Sequence, residues 1–209
     1  MASKMGTHQT KFKIQRALLV ELPGLGKPGA LERRSYPPGQ HGQMRRKFSE
    51  YGLRLREKQK LRFHFGLREE QLRRLVQAAK KKSHGNWIDH LISTLESRLD
   101  NIVFRLGFAP SMAASKQLVR HGHVLVNGQR ETIASRILKP GDQIEMTEAA
   151  VRLPLVQWSI KQPRLELADF LDRDVSETKA SGKLKYRPDG DALPFPFTKS
   201  LVAEHYSGV

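Results

Sequence analysis

The spacing of apolar and polar residues divides the chain into segments of different character. Residues 1–45 contain few periodic apolar positions, and nine glycines and prolines fall between positions 23 and 42. Glycine and proline interrupt helices and the interior of sheets. The pattern therefore predicts an extended N-terminal arm with at most one short helix, and contact with a partner is expected to order it.

A helical pattern begins at Ser49. Apolar residues then recur at spacings of three and four, as on one face of a helix: Leu72, Leu75, Val76 and Ala79. The same segment places acidic residues one turn before basic ones, which favours ion pairs on a solvated face: Glu69 with Arg73 and Glu70 with Arg74.

A second apolar stripe follows a break at residues 83–86. It predicts one long helix or two abutting helices, which Gly107 ends: Ile88, Leu91, Ile92, Leu95, Leu99, Ile102, Val103 and Leu106. Ser111 is the expected N-cap of a compact helix that ends at Gly122. Two helices are thus expected before the first strand signal.

The strand signals come directly after Gly122. HVLVNGQR predicts a short strand and a hairpin turn at Asn127 and Gly128. A second turn at residues 139–142 precedes an alternating strand over residues 143–147. The expected fold is α+β: a mainly helical domain, an extended basic arm, and a small module of two helices and a short sheet.

The charge distribution indicates a polyanionic partner. The formal net charge is +16, and residues 1–161 carry a net +17, whereas residues 162–209 carry a net −1. The C-terminal segment is therefore not expected to belong to the phosphate-binding face. The chain has no cysteine, which excludes disulfides and thiolate zinc sites. It shows no membrane span and no signal peptide, so a cytoplasmic location is expected.

Residues 33–52 combine breakers, cations and aromatic side chains in RRSYPPGQHGQMRRKFSEYG. Such a segment cannot form a core of its own, and its cations and backbone amides suit a phosphate surface. We call residues 33–52 the strap and predict that it binds nucleic acid.

The strap and the residues after it carry a resemblance. Residues 33–67 closely resemble the bacterial small ribosomal subunit protein four family, with PGQHG, SEYG and LREKQKLR in the same order. Residues 98–129 resemble the RNA-binding domain named after this family. The segment VAEHYS, residues 202–207, resembles the C-terminal motif of the family.

The resemblance implies a domain organisation. Residues 1–45 would form the arm, residues 46–92 a helical domain that residues 156–209 complete by packing back on it, and residues 93–155 the inserted RNA-binding module. Tyr51 and Phe63 are expected in the core rather than stacked on RNA.

The resemblance also implies where RNA binds. In the arm and helical domain, the candidate residues are Arg33, Arg34, Gln40, His41, Arg45, Arg46, Lys47, Arg54, Lys58, Lys60, Arg62 and Arg73. In the module they are Arg98, Ser111, Lys116, Gln117, Arg120, His121, His123 and Asn127. For Arg98 and Asp100 a local ion pair is the alternative. Met112 stands where the family usually has Arg, which removes one phosphate contact.

The implied function is structural. The protein would bind small-subunit ribosomal RNA at a helical junction of its 5′ domain, nucleate assembly, influence decoding fidelity and neighbour ribosomal protein five. It would also bind its own messenger RNA. The two alternatives are a free-standing paralogue that regulates translation and an RNA-modifying or stress enzyme that carries the small module.

Neither an enzyme nor a cofactor site is expected. The glycines at positions 24, 26 and 29 have the spacing of a dinucleotide-binding loop, but no helix follows them. His121 and His123 lack a third metal ligand nearby. We therefore expect no catalytic residue, no cofactor, no metal and no membrane contact.

Overall fold

The computed structural model describes residues 10–26, 28–32, 34–44, 47–83, 86–176 and 178–207. The helices are α1 (Lys11–Leu18), α2 (Glu50–His64), α3 (Glu69–Lys82), α4 (Trp87–Glu96), α5 (Leu99–Arg105), α6 (Met112–Arg120), α7 (Glu148–Val151), α8 (Pro154–Lys161) and α9 (Lys199–Ser207). The strands are β1 (Val124–Val126), β2 (Gln129–Glu131), β3 (Gln143–Met146), β4 (Leu171–Val175) and β5 (Ala180–Leu184). No helix among these residues is long and apolar enough to span a membrane.

The helical part has one apolar core. It is built from α1, α2, α3, α4 and α9, with Leu61, Phe65, Leu72 and Leu91 among its fully buried residues. Helix α2 begins at Ser49, whose Oγ accepts a hydrogen bond from the Gly52 amide at 3.1 Å. This serine satisfies one of the free amides of the first turn, as an N-cap does.

The N-terminal arm requires a correction, because much of it is folded onto the helical core. Helix α1 buries Ile14 and Leu18, and Leu22 is fully buried after it. The Gln15 side chain accepts a hydrogen bond from the Leu22 amide at 2.7 Å, and the Gly24 carbonyl accepts one from the Met112 amide at 2.9 Å. Burying an aliphatic side chain contributes about 1.5–3 kcal/mol, which offsets part of the cost of ordering this segment.

The apolar stripe of residues 88–106 forms two abutting helices. Ser97 and Arg98 separate α4 from α5, and the Ser97 carbonyl accepts a hydrogen bond from the Leu138 amide at 2.8 Å. Gly107 follows α5 with a φ of +76°. A left-handed residue after the last turn is a common end for a helix.

The predicted hairpin is present. Strands β1 and β2 pair antiparallel, and Asn127 and Gly128 between them have φ values of +52° and +77°. Positive φ at both turn positions matches the strand twist in a two-residue hairpin. The second turn leads into β3, which pairs with β1 on the other side.

The C-terminal segment divides between the two parts of the molecule, which differs from the expectation that all of it packs on the helical domain. Strand β5 pairs with β3 and β4 pairs with β5, so the sheet order is β2-β1-β3-β5-β4. Helix α9 packs against α2. Gly182 of β5 lies where a Cβ would be 2.9 Å from the Asp172 carbonyl oxygen, so this strand passes close to its neighbour.

Candidate nucleic-acid interface

The strap is held against α1 by one arginine. The Arg16 guanidinium lies 5.0 Å from the centre of the Tyr36 ring, and its Nε donates to the Tyr36 carbonyl at 3.0 Å. Gly42 is buried, and a Cβ there would overlap the Pro37 carbonyl oxygen. The proline and glycine residues thus form a compact turn on α1 rather than an independent extended strand.

The polar side chains of the strap face outward from this turn. Four of these side chains are exposed and make no hydrogen bond or ion pair with the described residues: Arg34, Gln40, His41 and Lys47. Arg33, Arg45 and Arg46 lie outside the described residues. The described strap therefore presents cations and hydrogen-bonding groups to solvent, as a phosphate-binding surface requires.

Phe48 and Tyr51 mark the junction of the strap with α2. The Arg56 guanidinium lies 4.2 Å from the centre of the Phe48 ring. Tyr51 is 64% exposed, so the expectation that it belongs to the core is wrong, whereas Phe63 is half-buried under Arg62. Residue 51 falls on the outer side of α2, where the sequence periodicity is weak.

Several candidate cations of α2 are engaged within the protein. Lys58 Nζ lies 2.7 Å from Glu69 Oε1, and Lys60 Nζ donates to the Pro196 carbonyl at 3.0 Å. Both lysines are buried. Arg54 pairs with Glu204 of α9 at 2.8 Å. These three side chains join α2 to α3 and to the C-terminal segment, so the structure does not present them as free phosphate contacts.

The ion pair that the sequence predicted between Glu69 and Arg73 on α3 is not formed. Glu69 does not pair with Arg73, because its carboxylate turns to Lys58 and lies 3.6 Å from Arg62. The Arg73 side chain is exposed and makes no hydrogen bond or ion pair with the described residues. Arg62 is the less available of the two candidates, and Arg73 is the more available.

Arg98 forms the local ion pair that was the alternative to RNA contact. Its Nε and Nη2 donate to the two carboxylate oxygens of Asp100 at 3.0 and 2.7 Å. Arg98 is 8% exposed and Asp100 is fully buried. The pair fixes the start of α5, and Ser115 of α6 donates to the Asp100 carbonyl. Arg98 is therefore a buried structural residue.

Lys116 joins the module to the helical part. Its Nζ donates to the carbonyls of Phe65 and Gly66 at 2.6 and 2.8 Å, which follow the last turn of α2. Asp100 Oδ2 lies 3.8 Å away. Burial lowers the pKa of Lys116, and Asp100 opposes that shift. A cation near a helix C-terminus also stabilises the helix dipole.

The other module candidates fall into two groups. Ser111 caps α6 by accepting from the Ala114 amide at 3.3 Å, and Asn127 holds the hairpin by bonding Asp142 and the Gln143 amide, each at 2.9 Å. The remaining candidates lie on the end of α6 and the turn after it, with His123 half-buried and the others exposed: Gln117, Arg120, His121 and His123.

One cationic groove was missed in the sequence. Lys82, His90, Lys139 and Arg187 are among the residues that line a space of about 310 Å³ between α3, α4 and the turn before β3. Arg187 donates to Ser93 Oγ at 2.8 Å and lies 3.4 Å from His90 Nδ1. The C-terminal segment is not expected to contribute to the cationic surface, because its net charge is −1. A net charge does not show where one side chain, such as Arg187, lies.

Two family models match consecutive parts of the chain. The Ribosomal protein S4/S9 N-terminal domain matches residues 6–96, and the S4 domain matches residues 97–144. Small ribosomal subunit protein uS4B of Bdellovibrio bacteriovorus is 53% identical over 197 residues, which cover 94% of this chain and 95% of the relative. This chain belongs to the uS4 family.

Two further relatives extend the comparison. The uS4 protein of Methylobacillus flagellatus is 42% identical over 200 residues, and uS4B of Nitrosomonas europaea is 42% identical over 199 residues. Each match covers 94% of this chain and 95% of the relative. The uS4 family is structural and ribosomal, not enzymatic. The resemblance of the strap and the module is thereby confirmed.

The boundary between the two uS4 family models falls at the break between α4 and α5. Met112, where the resemblance implies an Arg, is buried against the arm. A Cβ at Gly24 would lie 2.7 Å from Met112 Cγ. An apolar side chain therefore closes the contact between the arm and α6 at this position.

Proposed function

We propose that this protein is a structural component of the small ribosomal subunit that binds ribosomal RNA at a helical junction of the 5′ domain. The observation that carries the proposal is the separation of its cations into two sets. Arg34, Lys47, Arg73 and Arg120 are exposed without carboxylate partners in the described residues, whereas Lys58, Lys60, Arg98 and Lys116 hold the fold together.

The separation suits a junction because phosphates of several RNA helices lie close together there. Free cations on the strap, α3 and the end of α6 would neutralise these phosphates and release counterions. The buried contacts between α2, α6 and α9 would keep the cationic segments in fixed positions. Rigid placement reduces the ordering cost of binding.

The proposed binding is tested with the full-length protein and an RNA fragment that contains the 5′-domain junction. We expect the junction to bind more tightly than a continuous duplex of equal length at the same salt concentration. Equal affinity for the two RNAs would overturn the junction as the binding site, since it would leave only a general attraction to phosphate.

A component of the small subunit also has wider consequences. We propose that early binding at the junction nucleates assembly, and that the position of the protein beside ribosomal protein five influences decoding fidelity. Binding of its own messenger RNA would use the same cations. Deleting the protein from a reconstitution mixture should reduce the yield of complete subunits, and an unchanged yield would contradict the assembly role.

A free-standing translational regulator is the second candidate, because the same RNA-binding surface would serve it. Sedimentation of a cell lysate separates the two functions. A ribosomal component comigrates with the small subunit at high salt, whereas a regulator remains in the light fractions.

A further inference from the structure

A wide groove lies where the arm meets α6 and α8. Its volume is about 1030 Å³, above the range of about 300–1,000 Å³ typical of small-ligand pockets. Lys11 and Phe12 of α1 form one wall, and Leu155 and Trp158 of α8 form the other. Of the RNA-binding candidates that lie in the described part of the chain, only Ser111 lines it.

The groove exposes apolar surface that a protein normally buries. Phe12 is 45% exposed, Leu155 is 45% exposed and Trp158 is 49% exposed. The opposite face of α8 is already packed, since Val156 and Ser159 are buried. Trp158 is therefore not a core residue turned partly outward. A contiguous exposed apolar surface of this kind marks a binding site more often than a scattered one.

Arg164 gives the groove a cation with unused hydrogen-bonding capacity. It lines the groove, is half-buried, and makes no hydrogen bond or ion pair with the described residues. Burial lowers its pKa, and Glu21 opposes that shift by its charge alone. A partly desolvated guanidinium without a partner costs free energy that an anionic ligand would recover.

Among residues 10–26 and the other described ranges, no carboxylate lines the groove, and Lys11 adds a second cation. The methylene chain of Lys11 lies over Gly26, where a Cβ would be 2.9 Å from Lys11 Cδ. Aromatic faces beside an arginine and a lysine suit a flat ring joined to a phosphate.

We propose that this groove binds an unpaired RNA base, with the ring against Trp158 and Phe12 and the adjoining phosphate at Arg164 and Lys11. The proposal rests on the proposed RNA-binding function and adds a site that reads a single-stranded nucleotide. An apolar peptide would fill the groove but would leave the guanidinium unpaired. Single-stranded RNA is commonly held by stacking of this kind.

Trp158 allows a direct test, because the chain has only one other tryptophan. Trp87 is half-buried and packs edge-on to Tyr206, so Trp87→Phe keeps an aromatic ring there and leaves Trp158 as the sole reporter. In this variant we expect saturable quenching of Trp158 fluorescence by a short oligoadenylate. An abasic ribose-phosphate strand of the same length should bind weakly and quench little.

Three further variants in the same background check the geometry. Phe12→Ala should weaken oligoadenylate binding about ten-fold, within the range of about five- to 150-fold that stacking energies correspond to. Arg164→Gln should also weaken it about ten-fold, because it removes a charged hydrogen bond to the phosphate. Tyr186→Ala removes an exposed aromatic ring outside the groove and should leave binding unchanged. Thermal unfolding shows whether each variant is folded.

The outcomes separate this proposal from the proposed function. Equal quenching by the abasic strand, or equal loss with Tyr186→Ala, would overturn the base site. Competition by an apolar peptide without any effect of oligoadenylate would overturn it in favour of a protein partner. Junction binding by the full-length protein that persists in Trp158→Ala would leave the proposed function intact in each of these cases.

Discussion

At the scale of single residues, charge alone does not identify an RNA contact in this protein. Arg98 and Arg73 are both arginines in segments that resemble an RNA-binding family, yet Arg98 lies buried against Asp100 and Arg73 is exposed. The difference lies in which carboxylate the fold brings near each guanidinium. Surface cations that lack such a partner are the ones available to phosphate.

The buried Arg98–Asp100 pair provides a test by stability. Arg98→Gln leaves a fully buried carboxylate without its bidentate partner, and we expect the free energy of unfolding to fall by about 3–5 kcal/mol. Arg73→Gln removes an exposed, unpaired cation and should change the free energy of unfolding by less than about 0.5 kcal/mol. Urea unfolding followed by circular dichroism measures both. Equal stability of the two variants would refute the structural role of Arg98.

His64 predicts a pH dependence of stability. Burial and the nearby Arg105 lower its pKa from 6.5 to about 3. Between these values the unfolded chain binds a proton that the folded protein does not, so stability falls as the pH drops below 6.5. The contribution of this side chain is at most about 1.4 kcal/mol per pH unit.

The measurement is the difference between wild type and His64→Gln, in which other titrating groups cancel. In the wild type, His64 Nδ1 accepts a hydrogen bond from the Gly24 amide at 3.4 Å. The side-chain oxygen of glutamine can still accept this hydrogen bond. We expect the variant to lose stability less steeply between pH 6.5 and 4.5, while His121→Gln, an exposed control, follows wild type. Parallel curves for wild type and His64→Gln would contradict burial of a neutral imidazole.

At the scale of elements, the sequence predicted most of what periodicity and turn chemistry determine. The Ser111 cap and the Asn127 hairpin follow from local patterns, and the structure contains both. The apolar stripe of residues 88–106 allowed one long helix or two abutting helices, and the structure has two. The sequence did not predict that the arm folds onto the core. The arm has few apolar residues, and the burial of Ile14, Leu18 and Leu22 depends on contacts with α2 and α6. Tertiary contacts of that kind leave no local signal.

The arm can be probed by limited proteolysis of the RNA-free protein. Trypsin needs an extended segment, so Arg34 and Lys47, exposed and outside regular structure, should be cleaved first. Arg16 lies in α1 and donates to the Tyr36 carbonyl, so it should be cleaved much more slowly. Mass spectrometry of the early fragments measures the order. Cleavage at Arg16 as fast as at Arg34 would contradict the packing of α1 on the core and would support an arm that is mobile without RNA.

Strands β4 and β5 were also missed, and their composition explains why. LDRDV and ASGKL lack a run of β-branched residues, and three neighbouring positions of β4 are charged. Leu171, Ala180 and Leu184 nevertheless enter the same core as Val124 and Ile144. The sheet that receives these strands compensates for their weak intrinsic preference.

At the scale of the whole molecule, the C-terminal segment couples the two parts. It completes the sheet through β5 and then reaches α2 through α9. The resemblance predicted that this segment contacts the helices. It did not predict that β5 of the segment pairs with β3. We therefore propose that residues 93–155 fold only weakly alone and that residues 93–187 form a stable unit.

Two fragments test that proposal. Amide exchange in residues 93–187 should show protection of β3 comparable to that in the full chain, because β5 covers its edge. In residues 93–155 the same amides should exchange at least about ten-fold faster, since an open edge strand loses its hydrogen-bond partners. Equal protection in the two fragments would show that β5 adds nothing to the fold of the module.

The most direct test of the account compares the free cations with the paired ones. In Arg34→Gln/Lys47→Gln/Arg73→Gln, three unpaired cations are lost; in Arg136→Gln/Arg152→Gln/Lys179→Gln, three cations that lie within 4.0 Å of carboxylates are lost. Both variants change the net charge equally. The measurement is the dependence of junction RNA affinity on salt concentration. We predict that the log–log slope flattens by about two to three units in the first variant and hardly changes in the second. Equal flattening in both would contradict the assignment of RNA binding to the unpaired cations.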